Sequence, residues 1–219
     1  MILPFADRRA AGRQLAAALA HLKAEAPVVL ALPRGGVPVA AEVAQALGAP
    51  LDLVLVRKIG VPGAEELAMG AVVDGADPIV VRNDDVIAAS GVTRTAFEAV
   101  RARELEEIER RRARYIGTRR RAPIAGRTVV LVDDGIATGA TVRAALRAVR
   151  ARRPKMLVLA APVAPPETVD ALRAEADAVV CLATPEPFGA IGYFYDDFRQ
   201  VGDAQVLDLL ARHPVPAEG

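Results

Sequence analysis

Residues 129–141, Val-Val-Leu-Val-Asp-Asp-Gly-Ile-Ala-Thr-Gly-Ala-Thr, restrict this chain more than any other stretch. Val129 to Val132 form a short β-forming apolar run of the kind that lies inside a parallel sheet. The run stops at two adjacent carboxylates, Asp133 and Asp134. Gly135, Thr138, Gly139 and Thr141 then lead into a helical pattern carried by Val142, Leu146 and Val149. Strand, acid pair, small-residue loop, helix: this order puts polar chemistry at the carboxyl end of a strand, where open α/β sheets bind ligands.

The loop has a physical reading. Backbone N–H groups at a helix start lack partners within the helix and carry positive partial charge, so an anion fits there. Glycine lets the backbone approach a phosphate, and the Thr138 and Thr141 hydroxyls add donors. Two aspartates would repel that phosphate. They suit vicinal hydroxyls, such as those of a ribose, or a metal ion. A sugar phosphate satisfies both halves. An Asp-Gly turn leading into a capped helix would use some of the same residues with no ligand at all. Two acids and Thr-Gly-Ala-Thr in one register favour the ligand.

The stretch resembles the phosphoribosyl-pyrophosphate (PRPP) motif of type I phosphoribosyltransferases. That resemblance implies that Asp133 and Asp134 bind the ribose hydroxyls, and that Ala137, Thr138, Gly139, Ala140 and Thr141 bind the 5′-phosphate. It also implies transfer of the 5-phosphoribosyl group from PRPP to a nitrogen acceptor, a nucleobase being the expected one, with release of pyrophosphate. Mg²⁺ would sit near Asp133 and Asp134, held mostly by phosphate and sugar oxygens. The family likeness further implies a homo-oligomer. Two departures stand out. Ala137 replaces the aspartate that 6-oxopurine enzymes use on the purine proton, leaving Asp196 or Asp197 as a candidate base. Gly135 replaces a branched apolar residue, which is expected to loosen the loop.

Composition narrows the alternatives. With 219 residues, 53% of them hydrophobic, the chain fits one α/β domain with decoration. A formal net charge of +1 argues against a chain built as a whole for nucleic acid. Cys181 is the single cysteine, so no intrachain disulfide forms. No apolar run approaches the ~20 residues that span a bilayer. No long apolar stretch follows Arg8, Arg9 and Arg13, so no cleaved signal is expected and the cytoplasm is the expected compartment. Ser90 lacks a Gly-x-Ser-x-Gly context, and His21 and His213 are the only histidines, so hydrolase triads and His-pair zinc sites lack parts.

Taken in order, Leu15, Leu19 and Leu22 predict an amphipathic helix over 8–24, and Val28 to Leu32 a first strand. Pro33-Arg34-Gly35-Gly36 follows, then a helix with Val39, Val43 and Leu47 on one face. Two glycines and a planar cation make a second anion-shaped turn. By the resemblance this is the pyrophosphate loop, with Arg34, Gly35 and Gly36 as its contacts; a plain strand-to-helix turn is the alternative. Leu51 to Val56 predict a second strand ending in Arg57 and Lys58, which the resemblance adds to the pyrophosphate site. Arg34 and Lys58, beside Asp133 and Asp134, are thus the candidate catalytic groups. Residues 59–77 read as a mobile loop or hairpin closing over PRPP, with strands at 68–73 and 79–81.

A charged helical insertion over 84–121 contains a long helix, 93–114, whose acid-base spacings support an exposed element. Arg110, Arg111, Arg112, Arg114, Arg119, Arg120 and Arg121 crowd its end, either as a solvated helix terminus or as an RNA-contacting surface. Beyond the central motif, strands at 156–163 and 179–182 flank a helix at 165–174, the last strand burying Cys181. The fold class is therefore α/β, a doubly wound, mostly parallel sheet with helices on both faces, plus a small hood and the charged insertion. Five of the eight aromatics fall within the hood-like segment 183–200. Phe188, Tyr193, Phe194 and Tyr195, with Asp196 and Asp197, are the base-binding candidates; Phe198 completes the cluster. A helix at 203–212 and a loose tail at 213–219 end the pattern. The rival to a transferase is a non-catalytic PRPP- or nucleotide-sensing regulator that binds RNA. A sugar-phosphate enzyme of another reaction shares the same predicted site.

Overall fold

The computed structural model describes residues 3–75 and 78–216. Its centre is a five-stranded parallel sheet in the order β2-β1-β6-β7-β8. The strands are β1 (Val28–Ala31), β2 (Leu51–Leu53), β6 (Thr128–Val132), β7 (Met156–Val163) and β8 (Ala178–Ala183). Alternate residues face opposite sides, as the pleat requires. Val29, Ala31, Val130 and Val132 join one core with α1 (Arg8–Ala18), α2 (Gly36–Leu47) and α7 (Asp203–Arg212). Val28, Leu30, Val129 and Leu131 join the other with α5 (Ala140–Ala151) and α6 (Pro166–Leu172). The sheet is doubly wound, as the pattern predicts. Burying a leucine such as Leu131 or Leu146 contributes about 1.5–3 kcal/mol, so these two cores hold the strand tips in place.

A second sheet differs from expectation. The predicted strand 51–56 is two strands, because the chain leaves the parallel sheet after Leu53 and enters an antiparallel one at Val56. That sheet comprises β3 (Val56–Val61), β4 (Ala64–Val73) and β5 (Ile79–Arg82). Residues 51–55 are buried throughout, so hydrophobicity does not mark the crossing. Asp74 marks it instead. Its N–H donates to the Leu55 carbonyl at 2.9 Å, and its Oδ1 accepts the Leu55 N–H at 2.8 Å. Arg57 and Lys58 therefore lie inside β3, not at a strand end. Two residues of the expected 59–77 hairpin, 76 and 77, lie outside the described residues.

The helical insertion is α3 (Asp84–Ser90) and α4 (Arg94–Tyr115). Thr93 Oγ1 caps α4 by accepting the Ala96 N–H at 3.2 Å. The helix is not exposed all round: Phe97, Val100, Glu104 and Ile108 are buried, three of them apolar residues packed on Ile59, Met69 and Val72. The arginines of its last turns are also paired within the chain. Arg110 and Arg111 pair with Glu107, Arg112 with Glu109 and Arg114 with Asp203. Arg119 donates to the Leu51 and His213 carbonyls, and Arg121 bridges Asp52 and Asp74.

Three smaller expectations change. The N-terminal helix stops at Ala18 and continues as a 3-10 turn over Ala20–Glu25. Of the expected loose tail, His213 accepts from the Leu51 N–H and Val215 packs on a core, while 217–219 lie outside the described residues. Cys181 is only half-buried; removal from water still pushes its thiol up to about 11. Among the described residues, no helix is long and apolar enough to cross a membrane.

Candidate active site

Strands β1 and β6 are neighbours, so the two anion-shaped turns predicted from sequence emerge side by side. The contact is close enough to explain the glycines. A Cβ on Gly35 would lie 2.1 Å from Asp134 Oδ2, and one on Gly36 would lie 2.9 Å from the Val132 carbonyl oxygen. Neither position can carry a side chain while the acid pair stays where it is. The Pro33–Arg34 peptide bond within this turn is cis. Arg34 reaches toward Asp203, with Nη1 3.4 Å from Oδ1. Asp203 also holds Arg114 and accepts the Tyr115 hydroxyl, and it is the latter bond first that lowers its pKa.

Asp133 and Asp134 sit in different surroundings. Asp133 Oδ1 accepts the Asp134 N–H at 2.9 Å. Its withdrawal from solvent, and next the neighbouring Asp134 charge, push its carboxyl well above the ordinary carboxylate range. Asp134 is 8% exposed and ion-paired with Arg8, Nε to Oδ2, at 2.6 Å. Its carbonyl accepts the Tyr195 hydroxyl, and burial first, then the Asp134 charge, raises the pKa of that phenol.

The loop expected to bind phosphate follows. Gly139 takes φ +75° as the residue before α5, a left-handed conformation that glycine adopts without cost. Ala137, Thr138, Ala140 and Thr141 are exposed around it, while the Ala137 carbonyl is held by Thr168 Oγ1 at 2.8 Å. Gly135 does not loosen this loop. Ile191 fills the space a side chain would need, its Cγ2 2.4 Å from an added Cβ. The branched apolar group is supplied from the hood instead.

Two clefts meet at Val56 and Thr141. One, of about 380 Å³, is lined by Arg34, Gly35, Asp133, Asp134, Arg8 and Phe198. The other, of about 550 Å³, runs between the phosphate loop and the antiparallel sheet, with Lys58, Thr138, Thr141 and Arg143 on its walls. The predicted residues are thus divided. Lys58 faces the phosphate-loop cleft, where its Nζ lies 3.1 Å from Glu66 Oε2, and does not line the Arg34 cleft. Arg57 lines neither cleft and pairs with Glu104, Nη2 to Oε2, at 2.7 Å.

The hood candidates divide as well. Tyr195 is buried between Phe5 and Phe198, with ring centroids 5.4 Å and 5.1 Å away. Phe188 and Phe194 pair with each other at 5.1 Å. Asp197 is held by Arg199, which lowers its pKa to about 2. Tyr193, 76% exposed, and Asp196 face solvent. Sequence reasoning missed Phe5 and Arg8. The 5–6 segment pairs with the hood, Phe5 N–H to the Phe194 carbonyl and Asp196 N–H to the Phe5 carbonyl, both at 2.8 Å. The only signal was that Phe5 is one of few aromatics outside the hood.

A family model described as "Phosphoribosyl transferase domain" matches residues 6–197. The chain belongs to the phosphoribosyltransferase family. It is 50% identical over 208 residues to two Mycobacterium tuberculosis proteins, "Putative phosphoribosyl transferase MT0597" (strain CDC 1551 / Oshkosh) and "Putative phosphoribosyl transferase Rv0571c" (strain ATCC 25618 / H37Rv). Each match covers 95% of this chain and 46% of the relative, so the chain spans about half the length of these curated relatives. Among solved structures it is similar to TT1426 from Thermus thermophilus, with 47% identity and a TM-score of 0.84. That match covers 97% of this chain and 100% of the other.

Proposed function

We propose that this domain transfers the 5-phosphoribosyl group of PRPP to a nitrogen acceptor, a nucleobase being the favoured class, and releases pyrophosphate. The observation that carries the reading is the adjacency of three parts: the 33–36 turn, the acid pair and the 137–141 loop. A phosphate at the α5 N-terminus, a ribose at the carboxylates and a pyrophosphate beside Arg34 form one continuous ligand. The C1–O bond to pyrophosphate breaks as the acceptor nitrogen bonds to C1, through a ribosyl-cation-like transition state. The protein contributes position and charge stabilisation in place of covalent chemistry.

Magnesium fits this site as a substrate-borne ion. Among the described residues, no cluster of three or more His, Cys, Asp or Glu side chains is arranged for a metal, and Arg8 occupies one oxygen of Asp134. Asp133 and Asp134 would touch such an ion mainly through substrate oxygens or water. The bound ion supplies charge neutralisation for the departing pyrophosphate. With Ala137 in the loop and Asp197 committed to Arg199, Asp196 is the other of the two neighbouring hood aspartates and the candidate base.

The test is pyrophosphate release from PRPP and magnesium with a panel of nucleobases. Turnover with one base should fall about 100-fold or more in the Asp133→Asn, Asp134→Asn double variant. Binding of PRPP with no turnover on any base would favour a sensor, and full activity in the double variant would end the reading.

A further inference from the structure

Arg8 belongs to neither anion-binding loop, yet it reaches the centre of the site. It opens α1, whose N-terminus is capped by Asp7 Oδ1 accepting the Ala10 N–H at 2.6 Å. The Arg8 side chain is only 11% exposed. Nε donates to Asp134 Oδ2 at 2.6 Å, Nη1 donates to the Arg199 carbonyl at 2.9 Å, and the guanidinium carbon lies 3.8 Å from the centroid of the Phe198 ring. Three partners on two stretches of chain, Asp134 and residues 198–199, thus fix a long side chain that would otherwise sample many rotamers.

The consequence falls on Asp134. Gly35 packs against one side of its carboxylate, Arg8 holds Oδ2, and the Tyr195 hydroxyl holds its carbonyl. By contrast, among the described residues no cation lies within ion-pair distance of Asp133. Two neighbouring carboxylates on a crevice floor repel. A fixed cation on one of them offsets that repulsion and sets which oxygen stays available.

We propose that Arg8 is a positioning residue for sugar recognition. It acts through Asp134, holding Oδ2 so that the remaining acceptors of the acid pair face the vicinal hydroxyls of a ribose phosphate. The proposal rests on the transferase reading of the site. A merely structural Arg8 would pin α1 to the hood and have no bearing on which sugar binds.

The discriminating experiment measures hydroxyl recognition separately from phosphate recognition. Ribose 5-phosphate and its 2-deoxy and 3-deoxy analogues are titrated calorimetrically into the wild type and the Arg8→Gln, Arg8→Lys and Arg9→Gln variants. All three sugars present the same phosphate to the loop. The wild type should prefer ribose 5-phosphate over at least one analogue by about tenfold, the weight of one charge-assisted hydrogen bond. In Arg8→Gln that ratio should collapse toward unity, with affinity for the deoxy sugar unchanged. Arg8→Lys keeps the charge but loses the planar fork, and should fall between. Arg9→Gln, whose guanidinium pairs with Glu42 instead, should match the wild type.

An undiminished ratio in Arg8→Gln overturns the proposal, whatever happens to its melting temperature. If that variant does not fold, Phe198→Ala decides: removing the ring under the guanidinium should lower the ratio in part, and an unchanged ratio overturns the proposal. Equal wild-type binding of all three sugars would overturn it while leaving the phosphate loop intact. Failure to bind any of them would instead bring down the transferase reading on which it rests.

Discussion

The two walls of the candidate site are built on opposite principles. On the parallel-sheet side, the 33–36 turn and the acid pair touch so closely that glycine is the only residue that fits. On the antiparallel-sheet side, residues 62–67 at the tip of the β3–β4 hairpin are all exposed, and Lys58 pairs with a Glu66 side chain that is 103% exposed. One wall is held by packing and buried polar contacts, the other by pairs that water can replace. Segments with few buried contacts open at low cost, whereas a packed strand tip opens only with the core. The difference suits a substrate that needs a preorganised floor and an adjustable cover.

The comparison breaks most readily where the walls join. Asp74 is 1% exposed; it ties β4 to Leu55 and to Arg121, whose Nη1 lies 2.6 Å from Oδ2. Asp74→Ala leaves the buried Leu55 N–H without its acceptor and takes from Arg121 one of its two carboxylates, Asp52 keeping the other. The expected cost is about 3 kcal/mol, seen as a fall in the denaturant midpoint. The same variant should speed hydrogen exchange in β3 and β4 more than in β1 and β6. Equal loss of protection in both sheets would mean that they form one cooperative unit and that the contrast is superficial.

On the rigid wall, Gly35→Ala tests whether tight packing is functional. The added methyl cannot coexist with Asp134, so PRPP affinity should drop about 100-fold. Two other glycines calibrate the effect. Gly63, with φ +80° and open space around it, should cost about 1 kcal/mol of left-handed strain on changing to alanine, and nothing in affinity. Gly202, with nothing within 4 Å of an added Cβ and an ordinary φ, should tolerate alanine within about 0.5 kcal/mol. Wild-type affinity in Gly35→Ala would show the floor to be pliable.

The contrast also accounts for what the sequence made legible. Strand, acids, loop and helix of the rigid wall are contiguous at 129–141, so local pattern reveals both the fold and the site. The 33–36 turn was readable for the same reason, although nothing local says that Gly35 is shaped by Asp134. Arg8 lies 126 residues from its partner and Phe5 pairs with Tyr195 across the chain, so no spacing rule reaches them. On the adjustable wall, residues 51–55 are buried on both sides of the sheet change, and periodicity carries no mark of it. Part of the pairing of the arginines near 110–121 was hidden for a related reason. Arg110, Arg111 and Arg112 pair with nearby Glu107 and Glu109, but the acceptors of Arg114 and Arg121, at Asp203, Asp52 and Asp74, are far away in sequence.

The smallest expected effect on stability concerns Lys58. Its side chain is 35% exposed and its partner fully so, which limits the pair to less than about 1 kcal/mol after screening. Lys58→Ala should therefore leave the melting temperature nearly unchanged. Its position on the phosphate-loop cleft, opposite Thr138 and Thr141, predicts a several-fold loss of PRPP affinity that shrinks as salt is raised. A lysine serving only the strand would give the reverse pairing, with stability lost and affinity kept. That result would remove the adjustable wall from the binding site and leave the parallel-sheet tips to do the recognition alone.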